Sequence, residues 1–262
     1  MPWRRSRSGD RTIFLLLEDL TLRGAEFRSA LDPALSPGQM ARQLDLLAQL
    51  HAKFWQRTDQ LSEDNAWLGS LIMGAQFEFF DQRAVTSIAA LVQGSPYRQD
   101  LLTRVGRTPE QLWEGLKAVQ VHQTRAIPQT LLHGDTGRHN TYLLPDGGCG
   151  FLDWQFSIRG AWSRDVHYIM CTGLSVADRR QHERALLEGY LNRLADLGVR
   201  DVSGIDEAMR EYARAIMWGF TIGWLMVPER NYGMEIISAN LERLYAAMCD
   251  HDTFALAYEV MA

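Results

Sequence analysis

Apolar positions along this chain recur mostly at helical spacing. Met40, Leu44, Leu47, Leu50, His51 and Phe54 return every three or four residues, which predicts an amphipathic helix with one buried face up to about Gln56. Ser36-Pro37 marks its start, with Ser as N-cap and Pro in the first turn. Thr108-Pro109-Glu110-Gln111 is a second capped start, with Thr and Gln at capping-box spacing, and opens a helix that carries Leu112, Leu116 and Val119 toward Arg125. Trp67 to Val92 reads as helix with a break near Gly74. Ser175 and Ser203 are N-cap candidates for later helices, on which Leu186, Tyr190 and Leu194 share one face and Ile236, Leu241, Leu244 and Met248 another. His51 lies on an apolar face, so a hydrogen-bonded core histidine is the expectation for it.

Strand signals are few. Ile13 to Leu17 is a short apolar run of buried-strand type, and Thr130 to Leu132 is another short strand. Thr141 to Leu144 and Cys149 to Leu152 flank Pro145-Asp146-Gly147-Gly148, where Pro presets one φ and Gly supplies a positive one; this predicts a β-hairpin. The fold class that follows is α+β: a little β-structure set in a large helical body.

Composition narrows the function classes. A net charge of -5 argues against a nucleic-acid partner, whose footprint is a basic face. The longest apolar run, Ile216 to Val227, falls short of the roughly 20 residues that span a bilayer and ends at Pro228, so it reads as a buried core helix rather than a membrane segment. Cys149, Cys171 and Cys249 show no paired spacing, which points to a reducing, cytoplasmic setting. Residues 1–12 are basic, with Arg4, Arg5, Arg7 and Arg11, and read as a solvated, disordered end.

The chemistry concentrates between Leu131 and Gln155, LLHGDTGRHNTYLLPDGGCGFLDWQ. A hairpin folds its ends together, so Asn140, entering the first strand, and Asp153, leaving the second, can converge on one ion. Two carboxylates and an amide in this order suit Mg²⁺-assisted phosphoryl transfer, because Mg²⁺ takes oxygen ligands and usually binds through one or two carboxylates plus phosphate and water. Asp135, across the loop, is placed to orient an acceptor hydroxyl and take its proton. A metal-dependent hydrolase is the weaker alternative, since His133, His139 and His167 lack the spacing of a histidine ligand cluster.

The run HGD, NTYLLPDG and GFLDWQ resembles the aminoglycoside phosphotransferase and choline kinase superfamily of protein-kinase-like small-molecule kinases, nearest its ecdysteroid-kinase-like branch. The resemblance extends from Ile13 to the C-terminus, residues 13–262. It implies a protein-kinase-like fold represented mostly by the helical C-terminal lobe, with ATP and Mg²⁺ as cofactors and a hydroxyl of a small molecule as acceptor. It implies Asp135 as catalytic base, Asn140 and Asp153 as metal ligands, and His133 and Asp165 as supports of the loop. Leu15 to Leu20 resembles the hinge between lobes, whose backbone at Glu18, Asp19 and Leu20 would meet the adenine. Helices between Trp67 and Arg125 and after Ser203 would build the acceptor pocket, with Trp67, Trp218 and Trp224 as candidate walls, although a core role is the favoured reading for each.

Two departures stand against the family pattern. No Gly-rich loop and no Lys precede the hinge, and the first Lys in the chain is Lys53, so the N-terminal lobe reads as largely missing. The expected function is an ATP- and Mg²⁺-dependent phosphotransferase, active or inactive in this short form; a catalytically dead kinase-like binding protein or a gene fragment is the alternative. Secondly, the family's Gly before the metal-binding Asn is replaced by His139, with Gly displaced to Gly137. If that position needs a positive φ, His139 carries strain.

Overall fold

The computed structural model describes residues 17–61 and 68–261. The predicted strand at Ile13 to Leu17 lies outside these residues except for Leu17, which is 73% exposed and in no regular element. Trp67 and the basic N-terminus also lie outside them.

The helical body forms where periodicity and caps agree. Helix α1 (Pro37–Phe54) starts with a full capping box: Gln39 N–H donates to Ser36 Oγ, and the Gln39 side chain accepts from Ser36 N–H. Helices α2 (Ala75–Gln93) and α3 (Pro96–Val105) follow, and then α4 (Pro109–Ala126), which opens on the same reciprocal cap between Thr108 and Gln111. The helix expected from Trp67 begins only after Gly74. The preceding residues form an isolated bridge between Ser70 and Met73, and Gly74 at φ 97 turns the chain into α2.

Short strands then frame the motif. Strand β1 (Glu26–Phe27) pairs antiparallel with β3 (Thr141–Leu143), which pairs with β4 (Cys149–Phe151); β2 (Gln129–Leu132) pairs with β5 (Ile158–Ala161). The β3–β4 turn closes as the sequence predicts. Gly147 takes φ 87, Leu144 N–H donates to Gly148 C=O, and Asp146 accepts from Gly148 N–H.

Helix α5 (Ser163–Gly173) is buried along its whole length and packs on α7 (Ile205–Trp218) and α9 (Met234–Asp250). Helix α6 (Val176–Asp196), capped by Ser175 as expected, lays Leu187, Tyr190, Leu191 and Leu194 toward α1. The cap of α7 is Gly204 rather than Ser203, with no side chain accepting from its first turn. After α7 the helix widens into π geometry over Gly219–Leu225, and α8 (Glu229–Tyr232) leads into α9; α10 (Thr253–Tyr258) closes the body. The Ile216–Val227 run is thus a buried helix, as predicted, but not a uniform α-helix. The glycines let it pass close over α5: a Cβ on Gly223 would lie 3.0 Å from Tyr168. Among the described residues no helix is long and apolar enough to cross a membrane.

Burial sets one titration apart. His167, fully buried on α5, donates from Nδ1 to Ser163 C=O, and its Nε2 has no partner among the described residues. Burial pushes its pKa down from 6.5 to about 3, so the folded protein keeps it neutral. Between those values the unfolded chain binds a proton that the folded chain refuses. Stability from this group is therefore full above pH 6.5 and falls as pH drops toward 3, by up to about 1.4 kcal/mol per pH unit. Urea unfolding across this range should show that slope and should show it flattened in His167→Gln; equal slopes in both proteins would contradict the assignment.

Candidate active site

The loop between β2 and β3 is held from beneath by Asp165 on α5. His133 N–H and Gly134 N–H donate to its two carboxylate oxygens at 2.7 and 2.9 Å, and Thr136 Oγ1 donates to its backbone carbonyl at 2.6 Å. His51 approaches the same carboxylate from α1 at 3.3 Å through Nε2, while its Nδ1 lies 2.7 Å from Tyr190 Oη. A proton on Nε2 satisfies both contacts, with Tyr190 donating to Nδ1. His51 is thus the satisfied core histidine that its helical face predicts, and it also braces the loop. Burial pushes the Asp165 carboxyl up, but the hydrogen bonds it accepts, from His51 first and from the Gly134 N–H, outweigh it, and its pKa lies below the ordinary value of 3.8.

Gly134 is needed at the loop's sharpest point. Its φ is 87, and a Cβ there would fall 2.0 Å from the carbonyl oxygen of Phe156. His133 ties the loop to the hairpin. Its Nε2 donates to Leu152 C=O at 2.7 Å, its Nδ1 accepts from Asp135 N–H at 3.3 Å, and its ring packs on Phe151 and Trp154. Arg164, also fully buried, donates to Gly134 C=O at 3.2 Å and lies 3.9 Å from the centre of the Trp218 ring. Burial lowers its pKa to about 10, which leaves it charged at neutral pH.

Asp135, Asn140 and Asp153 meet around this frame. Asn140 donates from Nδ2 to both the carbonyl and the carboxylate of Asp135, at 2.9 and 3.0 Å, so its Oδ1 is the amide atom left for another partner. Asn140 C=O accepts from Leu152 N–H at 2.8 Å, which sets Asp153 one residue beyond the cross-strand neighbour of Asn140. The Asp153 carboxylate is exposed, accepting from Gln155 Nε2 at 3.0 Å, and its backbone is left-handed at φ 58. Asp tolerates that conformation better than most residues, and a non-glycine residue held there marks a site where geometry outranks local comfort. The groups available here are one amide oxygen and one exposed carboxylate, a chemistry that suits a small hard cation that keeps water and phosphate ligands. Among the described residues no three His, Cys, Asp or Glu side chains cluster as a metal cage.

His139 does not carry the strain expected of it. Residues Arg138–Asn140 form a 3₁₀ turn, and the positive φ values of the loop–hairpin fall on Gly134, Gly147 and Asp153. The His139 ring packs edge-on against Trp224, lies 5.6 Å from the Tyr232 ring, and comes within 3.9 Å of the Asp135 carboxylate.

A cavity of about 490 Å³ opens beside Asp135. Its walls include Phe79, Phe80, Phe156, Trp218, Trp224 and Tyr232, from α2, the segment after β4, and the chain from the end of α7 through α8. Trp218 and Trp224 are buried in the main hydrophobic core, the role favoured for them, and each also lines this cavity. His139, Phe156 and Tyr232 were not singled out as pocket residues by sequence. The i, i+4 spacing from Asp135 to His139 was the available signal for the first, whereas the others come from distant segments.

The hinge candidates lie at the opposite end of the hairpin. Asp19 caps a 3₁₀ turn, Leu20–Arg23, by accepting from Thr21 N–H and Oγ1. A Cβ on Gly24 would touch the Pro145 ring of the β3–β4 turn at 3.0 Å, so the residue that ends this turn packs where the hairpin turns. Glu18 and Asp19 are exposed and Leu20 is half-buried.

A helical body with two small antiparallel sheets, and a loop–hairpin carrying these three residues over a buried Asp, is an α+β architecture. A sequence model of the ecdysteroid kinase-like family matches residues 4–201, and the chain belongs to that family. A homoserine kinase of Azorhizobium caulinodans is 27% identical over 119 residues, covering 44% of this chain and 37% of its own length. The matched stretch is therefore little more than a third of that relative. A crystal structure of a choline/ethanolamine kinase family protein from Mesorhizobium loti superposes with a TM-score of 0.44 at 14% identity, over 88% of this chain and 70% of that one.

Proposed function

We propose that this chain carries the catalytic loop, metal site and acceptor pocket of a phosphotransferase that moves the γ-phosphoryl group of ATP to a hydroxyl of a small molecule. The observation that carries this reading is the hydrogen bond from Asn140 to Asp135 on one braced loop, with Asp153 following the residue that pairs with Asn140 across the hairpin and an aromatic cavity opening at Asp135. Asp135 orients the acceptor hydroxyl and accepts its proton as transfer proceeds. Asn140 Oδ1 and the Asp153 carboxylate are the groups that would hold Mg²⁺, which when bound neutralises charge on the phosphates. The hydrogen bonds from Asn140 to Asp135 keep base and metal ligand in one fixed relation.

Asp165, His133 and His51 act through the loop rather than on substrate. They hold its N–H groups so that Asp135 keeps its place without reorganising. Backbone near Glu18, Asp19 and Leu20 is the proposed adenine contact. The carbonyls of Asp19 and Leu20 already accept from Leu22 and Ala25, so an adenine there would use other backbone groups of the segment.

Thermal unfolding with and without Mg·ATP tests the reading. A ligand that binds only the folded state at 100 times its Kd adds about 2.7 kcal/mol. The expected result is a rise in Tm that needs both Mg²⁺ and ATP and is lost in Asp153→Asn. No rise at saturating Mg·ATP, or a rise indifferent to Asp153, would sink the proposed metal site.

A further inference from the structure

The cavity beside Asp135 has acidic, apolar and basic groups in its lining. Asp135, with 15% of its side chain exposed, is the acidic residue among its lining groups. The middle is aromatic and aliphatic, with Trp218, Trp224, Phe80 and Ile222 among its walls. At the solvent side stand two exposed arginines, Arg83 on α2 and Arg230 on α8. The Arg83 guanidinium lies 4.9 Å from the centre of the Phe79 ring, which orients it without neutralising it. Neither arginine makes an ion pair with a carboxylate among the described residues. Asn140 and Asp153 do not line this cavity, so the arginines face the acceptor side of Asp135 rather than the metal side.

This charge pattern selects among possible acceptors. A cationic alcohol would place its charge in the field of two guanidinium groups. A neutral apolar alcohol would fill the walls and leave both arginines to water. An alcohol with an apolar body and an anionic group at its far end matches all three zones, because guanidinium forks pair well with carboxylate geometry.

We propose that the acceptor of this site is an amphipathic hydroxy acid. Its hydroxyl lies at Asp135, its aromatic or alicyclic body against the Trp218 and Trp224 walls, and its carboxylate at Arg83 and Arg230. The fate of the hydroxyl rests on the phosphotransferase reading; the binding preference does not.

The test is isothermal titration calorimetry of the whole chain, without nucleotide, against three matched probes: 6-(hydroxymethyl)-2-naphthoate, its methyl ester and the corresponding trimethylammonium alcohol. The naphthoate should bind about tenfold more tightly than the ester, as two exposed charge pairs allow, and more tightly than the ammonium compound. The preference should weaken with added salt and shrink to near parity in the Arg83→Ala/Arg230→Ala variant. Both positions are exposed, and an unchanged unfolding midpoint checks that the variant folds. Equal or tighter binding of the ester or the ammonium alcohol, a preference that survives in the double variant, or binding of none of the three would overturn the proposal. Because no nucleotide is present, absence of the Mg·ATP stabilisation leaves this result readable, and the reverse holds too.

Discussion

Replacing Asp135 by Ala is expected to lower turnover of an acceptor alcohol by about 10²- to 10⁴-fold, the range for losing a positioned general base. The side chain is mostly buried, receives one hydrogen bond from Asn140 and lies next to the cavity, so its removal acts on the acceptor side and on the orientation of Asn140 together, although the Asn140 bond to the Asp135 carbonyl remains. The loop's backbone should persist, because its bonds to Asp165 come from His133, Gly134 and Thr136 rather than from Asp135. Stability should therefore change little while the rate collapses. Asp135→Asn should fall nearly as far, since an amide keeps the shape but cannot take the proton. The measurement is coupled nucleoside-diphosphate release with a bound acceptor, beside urea unfolding of each variant. Undiminished transfer in both variants would remove Asp135 from the chemistry.

The second large effect is structural. Asp165→Ala should cost about 3–5 kcal/mol of folding stability, because it leaves His133 N–H, Gly134 N–H and His51 Nε2 buried without their acceptor. Asp165→Asn should cost less but still disturb the loop, since its amide turns donors toward one of those N–H groups. The pH dependence follows from the direction of the Asp165 shift. Its folded pKa is depressed, so its contribution is fully present above about pH 3.8 and is lost as pH falls through the lower folded value. Denaturant midpoints of wild type and Asp165→Ala should therefore differ widely at pH 7 and converge in strong acid. A difference of under about 1 kcal/mol at pH 7 would show that water replaces the carboxylate and that Asp165 does not hold the loop. Activity lost in Asp165→Ala with Asp135 intact would be lost through position, not through proton transfer.

The motif region was readable in sequence to an unusual depth because its determinants are local. Pro145-Asp146-Gly147-Gly148 dictates a turn by its own backbone preferences, and the turn brings Asn140 beside Asp153 whatever surrounds it. The caps at Ser36, Thr108 and Ser175 are likewise satisfied within a few residues. Local reasoning failed where a neighbour decided the outcome. Ser203 has the right chemistry for a cap, yet α7 begins after Gly204, and the stretch before Gly74 gives up helix for a bridge between Ser70 and Met73. The strain expected at His139 did not arise, because His139 lies within the Arg138–Asn140 3₁₀ turn and does not take a positive φ.

What the sequence determined by itself was the α+β class, the loop–hairpin and the three residues on it, along with the resemblance that led to the family. Each depends on spacing within a window that a turn or a helix period can span. The tertiary structure decided what lies on either side of that loop. Beneath it, helix α5 delivers Asp165 and Arg164, and α1 delivers His51 from far along the chain. Beside it, α2 and the π-helical segment after α7 close an aromatic cavity with Arg83 and Arg230 at its mouth. Those residues meet because buried helices pack in one arrangement that no periodicity encodes. For that reason the sequence could suggest the chemistry, whereas only the fold could show the shape and lining of the cavity beside Asp135.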